Sequence, residues 1–236
     1  MRLLLISNST NPGEAYLDYP KQNIKNFLGD KPINCLFIPY AAVTFSFDEY
    51  EEKVNSRLAE VGHKVTGIHR FDNPVEAVEQ AEAIVVGGGN TWQLVKMIQE
   101  NRLMEPIRKK VMNGTPYVGW SAGSNIACPS LKTTNDMPIL EPQSFTTLGL
   151  IPFQINPHYL DENNETHGGE TREVRIIEFI HANKEIYVVG LREGCMLVYE
   201  NNKLTLIGSR TARIFHYGKD TIELGEKDDF NFLLNR

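Results

Sequence analysis

Cysteine is scarce in this chain: three among 236 residues, Cys35, Cys128 and Cys195, with no Cys-X-X-Cys pair. A scattered, odd-numbered set suits neither a disulfide framework nor a thiolate zinc site, so a reducing, cytoplasmic setting with no metal is expected. A basic excess is also lacking. Lys and Arg number 24 against 30 Asp and Glu, a net charge of −6. That balance speaks against nucleic acid or an anionic membrane as partner, because both reward a basic face. No apolar run approaches the roughly 18–20 residues needed to cross a bilayer. The opening "MRLLLIS" passes at once into polar "NSTNPGEAY", with no long apolar region and no small-residue cleavage site. A first β-strand explains it better than a signal peptide.

What is present is an ordinary globular composition, 41% hydrophobic and 23% charged. Short apolar runs at 2–7, 34–39, 83–88 and 116–121 read as strands buried on both faces. Between them, segments such as 48–61, 91–100 and 103–113 carry helical spacing. In 91–100, Trp92, Leu94, Val95 and Ile98 make the apolar stripe. Strand alternating with helix predicts a three-layer α/β fold, a largely parallel sheet with helices on both faces. After residue 183, "EIYVVGL", "CMLVYE", "KLTLIGS" and "ARIFHYG" follow with turns between them. These predict antiparallel strands added to the sheet edge or end. No linker or repeat interrupts the chain, which reads as one domain over 1–236.

Within "VGWSAGSN", Gly119-Trp120-Ser121-Ala122-Gly123 fits the Gly-X-Ser-X-Gly nucleophile elbow, with a strand before it and a candidate helix after it. Such a turn exposes the hydroxyl at the carboxyl end of the sheet, near a helix N-terminus that favours developing negative charge. The Ala122 N–H is then a natural oxyanion donor. The competing explanation is that small residues merely permit a tight strand-to-helix turn.

One strand earlier, "VVGGGNTWQL" repeats the geometry: a strand, then Gly87-Gly88-Gly89-Asn90, then a helix. A dinucleotide fingerprint would need glycine three positions beyond Gly89, where Trp92 stands, so no nucleotide cofactor is expected. A plain tight loop is one reading. An oxyanion hole, with Gly88 or Gly89 donating alongside Ala122, suits a neighbouring nucleophile better.

A serine needs a base, and histidine is the usual one. His63 and His69 flank a predicted strand, His181 ends a helical stretch, His216 lies in the late strands, and His167 sits in glycine-rich "THGGE", a solvated loop. His158 stands out. In "FQINPHYL" an apolar strand stops at Asn156-Pro157, which puts His158 on a strand-end loop. Two acids compete to orient it: Asp136 in the polar "TTNDMP" and Glu193 in "GLREGCM". Satisfying local backbone N–H groups is the alternative role for either, and spacing does not decide. Cys128, beyond the elbow, is expected to pack inside.

The segments "LLLISNST", "VVGGGNTWQL", "GWSAGSNIACP", "TTNDMP", "INPHY", "GETRE" and "GLREG" together resemble peptidase E, the alpha-aspartyl dipeptidase family, in order along nearly the whole chain. The resemblance implies a fold similar to class I glutamine amidotransferases. It also implies a metal-independent serine peptidase that removes N-terminal aspartate from short peptides, chiefly dipeptides. Ser121 would be the nucleophile, His158 the base and Glu193, in preference to Asp136, the orienting acid. Arg172 falls where the family recognises the aspartyl side chain. A guanidinium grips a carboxylate at two points, which an acidic protein with an acidic substrate would need. On the residues alone, an ion pair of Arg172 with Glu170 or Glu173 at a helix start is the simpler reading. Ser124 departs slightly from the family pattern, which bears on tolerance for non-aspartyl substrates rather than on catalysis. Two rivals remain: a hydrolase of another aspartyl polymer, as cyanophycinases are, and an inert ligand-binding domain. The expected partner is a small acidic peptide, and the sequence leaves room for a homodimer.

Overall fold

The first apolar run forms strand β1 (Arg2–Ile6), and its central residues Leu3, Leu4 and Leu5 are fully buried. A computed structural model describes residues 1–161 and 169–235; His167 lies outside them. In chain order there follow α1 (Lys21–Leu28), β2 (Asn34–Ile38), α2 (Phe47–Ala59), β3 (Lys64–Gly67), α3 (Pro74–Gln80), β4 (Ile84–Val86), α4 (Thr91–Glu100), α5 (Met104–Met112) and β5 (Pro116–Trp120). The second half holds α6 (Ala122–Asn125), β6 (Gln154–Tyr159), α7 (Arg172–Ala182), β7 (Val188–Arg192), β8 (Met196–Glu200), β9 (Lys203–Ile207), β10 (Ala212–Phe215) and β11 (Ile222–Leu224).

Helix starts follow local chemistry. Ser46 and Glu49 form a reciprocal capping box at α2, Asn73 precedes Pro74 at α3, and Asn90 and Thr171 cap α4 and α7.

One sheet runs β3-β2-β4-β5-β1-β8-β9, parallel from β3 to β1, with the β8–β9 hairpin antiparallel at its edge. Asn201 and Asn202, both at positive φ, close that hairpin in two residues, as a right-handed strand twist favours. The late strands were expected to extend this sheet, and β8 and β9 do. The others differ: β11-β10-β7-β6 form a second sheet, in which β6 and β7 run parallel. Alternation in sequence is the same for either destination, so it does not distinguish them.

Three cores result. Leu4, Ile6, Phe37, Val85 and Trp120 on one face of the large sheet pack with Ile24 of α1 and Tyr50, Val54 and Leu58 of α2. On its other face, Leu3, Leu5, Ile38 and Val86 share a core with Leu94, Val95, Ile107 and Ile126 and with Ile155, Val189 and Leu191 of the small sheet. Ile176 and Ile180 of α7 cover the remaining face of the small sheet over Tyr159, Val188 and Phe215. Among the described residues, no helix is long and apolar enough to cross a membrane.

Candidate active site

Ser121 follows the last residue of β5 and has φ 53° and ψ −113°, a conformation outside the regions open to most side chains. Its neighbours show why glycines flank it. A Cβ on Gly119 would stand 2.5 Å from the Gly123 carbonyl oxygen, and one on Gly123 would stand 2.3 Å from that of Val86. The turn is compressed against β4 and β5, and only glycine fits. Ser124 Oγ lies 2.7 Å from the Ile6 carbonyl and 2.8 Å from that of Gly119, tying the turn to its strands. The candidate helix after the elbow is present and short: α6 is a single turn of four residues. A single turn of this length carries little of the macrodipole of a long helix. Cys128 lies beyond that turn, fully buried, and its sulfur accepts the Ile155 N–H at 3.1 Å.

His158 is not on a loop after its strand, as "INPHY" suggested, but inside β6. Asn156 pairs with Gly190 and Tyr159 with Arg192, so three steps on β6 match two on β7, and His158 sits in the resulting bulge at φ 54°. Pro157 interrupts the ladder without ending it. Two hydrogen bonds pin the bulge: the His158 N–H donates to Ser7 Oγ at 2.9 Å, and Asn135 Nδ2 donates to the Pro157 carbonyl at 2.8 Å. The imidazole bridges the two other groups of interest. His158 Nε2 is 2.9 Å from Ser121 Oγ, and His158 Nδ1 is 2.7 Å from Glu193 Oε1. Glu193 directly follows β7, so the parallel β6–β7 pair brings histidine and glutamate together. Both side chains are about a third exposed, at 37% and 34%.

Asp136 has other partners. Its Oδ2 accepts from the Thr91 N–H at 2.7 Å, Thr91 Oγ1 at 2.6 Å and Thr134 Oγ1 at 3.0 Å, which places a carboxylate on the first turn of α4. It lines the cavity without bonding the imidazole.

The Gly87-Gly88-Gly89 run lies against the serine. A Cβ on Gly88 would meet Ser121 Cβ at 3.0 Å, and Gly89, at φ 133°, would carry its Cβ within 2.3 Å of the Ala41 carbonyl oxygen. The N–H groups either side are used: Gly87 donates to Ile38 and Asn90 to Ala41. Tyr50 holds the peptide between. Its hydroxyl donates to the Gly88 carbonyl at 2.9 Å and accepts from Trp120 Nε1 at 3.2 Å and from the Tyr16 hydroxyl at 3.3 Å. Burial pushes the Tyr50 phenol up to about 12, so the proton stays available for that carbonyl. Because C=O and N–H of one peptide point oppositely, anchoring the Gly88 carbonyl turns the Gly89 N–H the other way.

Arg172 is the first residue of α7, and its side chain lines a cavity of about 310 Å³ together with Ser121, Ala122, Asp136, His158 and Glu193. Glu170 and Glu173, its suggested partners, reach Arg175 at 3.9 Å and Arg213 at 3.1 Å. Among the described residues, one trio could supply metal ligands, Asp48, Glu51 and His69. Arg70 already sets its charge there, 2.8 Å from Asp48 and 2.7 Å from Glu51.

Sequence reasoning did not single out Ser7, Tyr50 or Asn135. Ser7 ends the first apolar run and Asn135 stands in "TTNDMP", beside the candidate acid Asp136. Tyr50 gave no signal beyond being an apolar position on a helix.

An α/β fold in which two sheets bring Ser121, His158 and Glu193 into one hydrogen-bonded line is a scaffold suited to nucleophilic hydrolysis. The chain belongs to peptidase family S51, whose model matches residues 3–207. It is 52% identical over 235 residues to a Nostoc protein named Peptidase E, covering 100% of this chain and 97% of that one. Peptidase E of Salmonella arizonae is 46% identical over 224 residues, covering 95% and 97% of the two chains. Among solved structures, a peptidase from an acI-B1 Actinobacterium superposes with a TM-score of 0.69 at 20% identity, over 97% of this chain and 96% of that one, a likeness of fold.

Proposed function

We propose that this peptidase is a serine exopeptidase that releases N-terminal aspartate from dipeptides and short peptides through an acyl-enzyme on Ser121. The observation that carries the reading is the unbroken line Glu193–His158–Ser121, at 2.7 and 2.9 Å. In that line Glu193 accepts the Nδ1 proton, which leaves Nε2 unprotonated and aimed at the hydroxyl. His158 removes the serine proton as Oγ attacks the scissile carbonyl, and Glu193 stabilises the imidazolium. The N–H groups of Ala122 and of Gly88 or Gly89 receive the oxyanion. His158 then protonates the leaving amine, and water, activated by the same imidazole, releases aspartate. Arg172, in the same cavity as the serine, holds the aspartyl side-chain carboxylate. The relatives named Peptidase E support this reading.

Hydrolysis of an aspartyl p-nitroanilide beside its glutamyl, asparaginyl and leucyl analogues tests it, with wild type, Ser121→Ala and Arg172→Met compared. The expected result is aspartyl-selective release that vanishes in Ser121→Ala and loses its selectivity in Arg172→Met. Release of equal rate from all four anilides would overturn the specificity. Turnover of an aspartyl polymer with none of the anilides would redirect the assignment to the cyanophycinase type.

A further inference from the structure

Two cavities meet at the serine. Besides the one holding Arg172, a second of about 440 Å³ shares Ser121, Asp136 and His158 with it and extends towards α2. Its walls are aromatic and mutually braced. Tyr16 stands edge-on to Trp120 with ring centroids 6.5 Å apart, and Phe45 stands edge-on to Tyr50 at 5.2 Å. At its rim the Lys53 ammonium lies over the Tyr16 ring, 4.1 Å from the centroid. Phe45 is 44% exposed although it is large and apolar. A cation and an uncovered aromatic surface thus lie in a cavity that reaches the same nucleophile and does not include Arg172.

Two cavities that adjoin at Ser121 let a peptide bond positioned there place its acyl half in one and its amine half in the other. On the reading proposed above, the aspartyl half goes to Arg172, and this inference rests on that assignment. The amine half then enters the aromatic cavity. In a dipeptide, the α-carboxylate lies only two bonds beyond the scissile nitrogen, so the negative charge arrives near the cavity at a fixed place. We infer that the second cavity is the leaving-group subsite and that Lys53 pairs with the free carboxylate of the residue following aspartate. The flexible lysine stem suits a carboxylate whose position shifts with the neighbouring side chain. Tyr16 steers the stem, and Phe45 with Tyr16 covers an apolar side chain on the leaving residue. A longer peptide or a C-terminal amide has no charge at that place. Selection for dipeptides is thereby a matter of charge as well as length.

The test compares kcat/KM for Asp-Phe with that for its C-terminal amide, in wild type, Lys53→Met and Lys53→Arg. Taking the ratio within each variant cancels any loss of folded enzyme. For a solvent-exposed pair the preference for the free acid should be on the order of two- to fivefold in wild type. It should fall to about unity in Lys53→Met, return in Lys53→Arg, and shrink with added salt as such a pair does. A preference that survives in Lys53→Met, or one absent from wild type while aspartyl anilide is still cleaved, overturns this inference alone. Loss of aspartyl-over-asparaginyl selectivity in Lys53→Met would overturn it differently, by showing that the acyl half binds on this side. Inactivity of wild type towards every aspartyl substrate would remove the peptidase assignment and this one together.

Discussion

Ser121 and His158, 37 residues apart and hydrogen-bonded at 2.9 Å, share an unusual backbone: φ is 53° at one and 54° at the other. Neither is glycine, and each holds a strained conformation so that its side chain faces the other. Relief of that strain should be measurable at the serine. Replacing Ser121 by Gly should give a protein more stable than Ser121→Ala by about 0.5–1 kcal/mol, after the extra chain freedom of glycine in the unfolded state is offset. Urea midpoints of the two inactive variants decide it, and an Ala variant as stable as the Gly variant would deny the strain.

Glu193 and Asp136 differ in what they hold, and conservative amides should separate them. Glu193→Gln keeps the shape but no longer favours the productive tautomer, so kcat should fall on the order of 10²–10⁴ with little change in melting. Asp136→Asn weakens the carboxylate contacts to Thr91 at the start of α4. There the expected loss is about 1 kcal/mol of stability, with a smaller fall in kcat. Steady-state kinetics and denaturant titration on both proteins would expose a reversed pattern at once.

Tyr50→Phe removes the donor that fixes the Gly88 carbonyl. If the Gly89 N–H is the second oxyanion donor of the proposed mechanism, it then loses its orientation, and kcat should drop about 10- to 100-fold while KM stays within about twofold. Trp120 Nε1 and the Tyr16 hydroxyl also lose their acceptor, which should cost about 1–3 kcal/mol of stability. A variant that is merely less stable, with kcat unchanged, would show that Tyr50 only fills space.

Arg192 anchors the end of β7, donating to both oxygens of Asp161 and of Glu223 and to the Thr211 carbonyl. Its hydrogen bonds hold the Asp161 carboxyl below the usual range. Burial pushes Glu223 up, yet bonds from Arg192 and Thr211 outweigh it and leave that carboxyl low too. Depressed carboxyls stabilise the fold above their unfolded value of about 4 and lose that contribution as pH falls through the folded values. Wild-type urea midpoints should therefore decline from about pH 5 downwards. Arg192→Met should be less stable at neutrality but decline less steeply; parallel declines would assign acid sensitivity to other carboxylates.

Legibility in the sequence tracked burial. Strands β1, β2, β4 and β5 fall within a residue or two of the runs 2–7, 34–39, 83–88 and 116–121, because strands covered on both faces are uniformly apolar. The elbow was legible because glycine reports close backbone approach, at Gly119 and Gly123 alike. The bulge at His158 was not. Proline signals an interrupted ladder, but whether pairing resumes depends on the neighbouring strand, here Arg192 opposite Tyr159. The separate small sheet was hidden for a similar reason, since "IYVVGL" carries no mark of the strand it will lie beside. Tyr50 was hidden because its role depends on a carbonyl 38 positions away.

The division of the strands into two sheets has a mechanical consequence. Ser121 rides on the seven-stranded sheet, while His158 and Glu193 ride on the four-stranded one. A slip of one sheet past the other by about an ångström would stretch the Ser121–His158 contact beyond hydrogen-bond length while leaving every strand paired. On the proposed mechanism, turnover should therefore act as a strain gauge for the whole scaffold. It should register misalignment of the two halves before circular dichroism or fluorescence reports any unfolding.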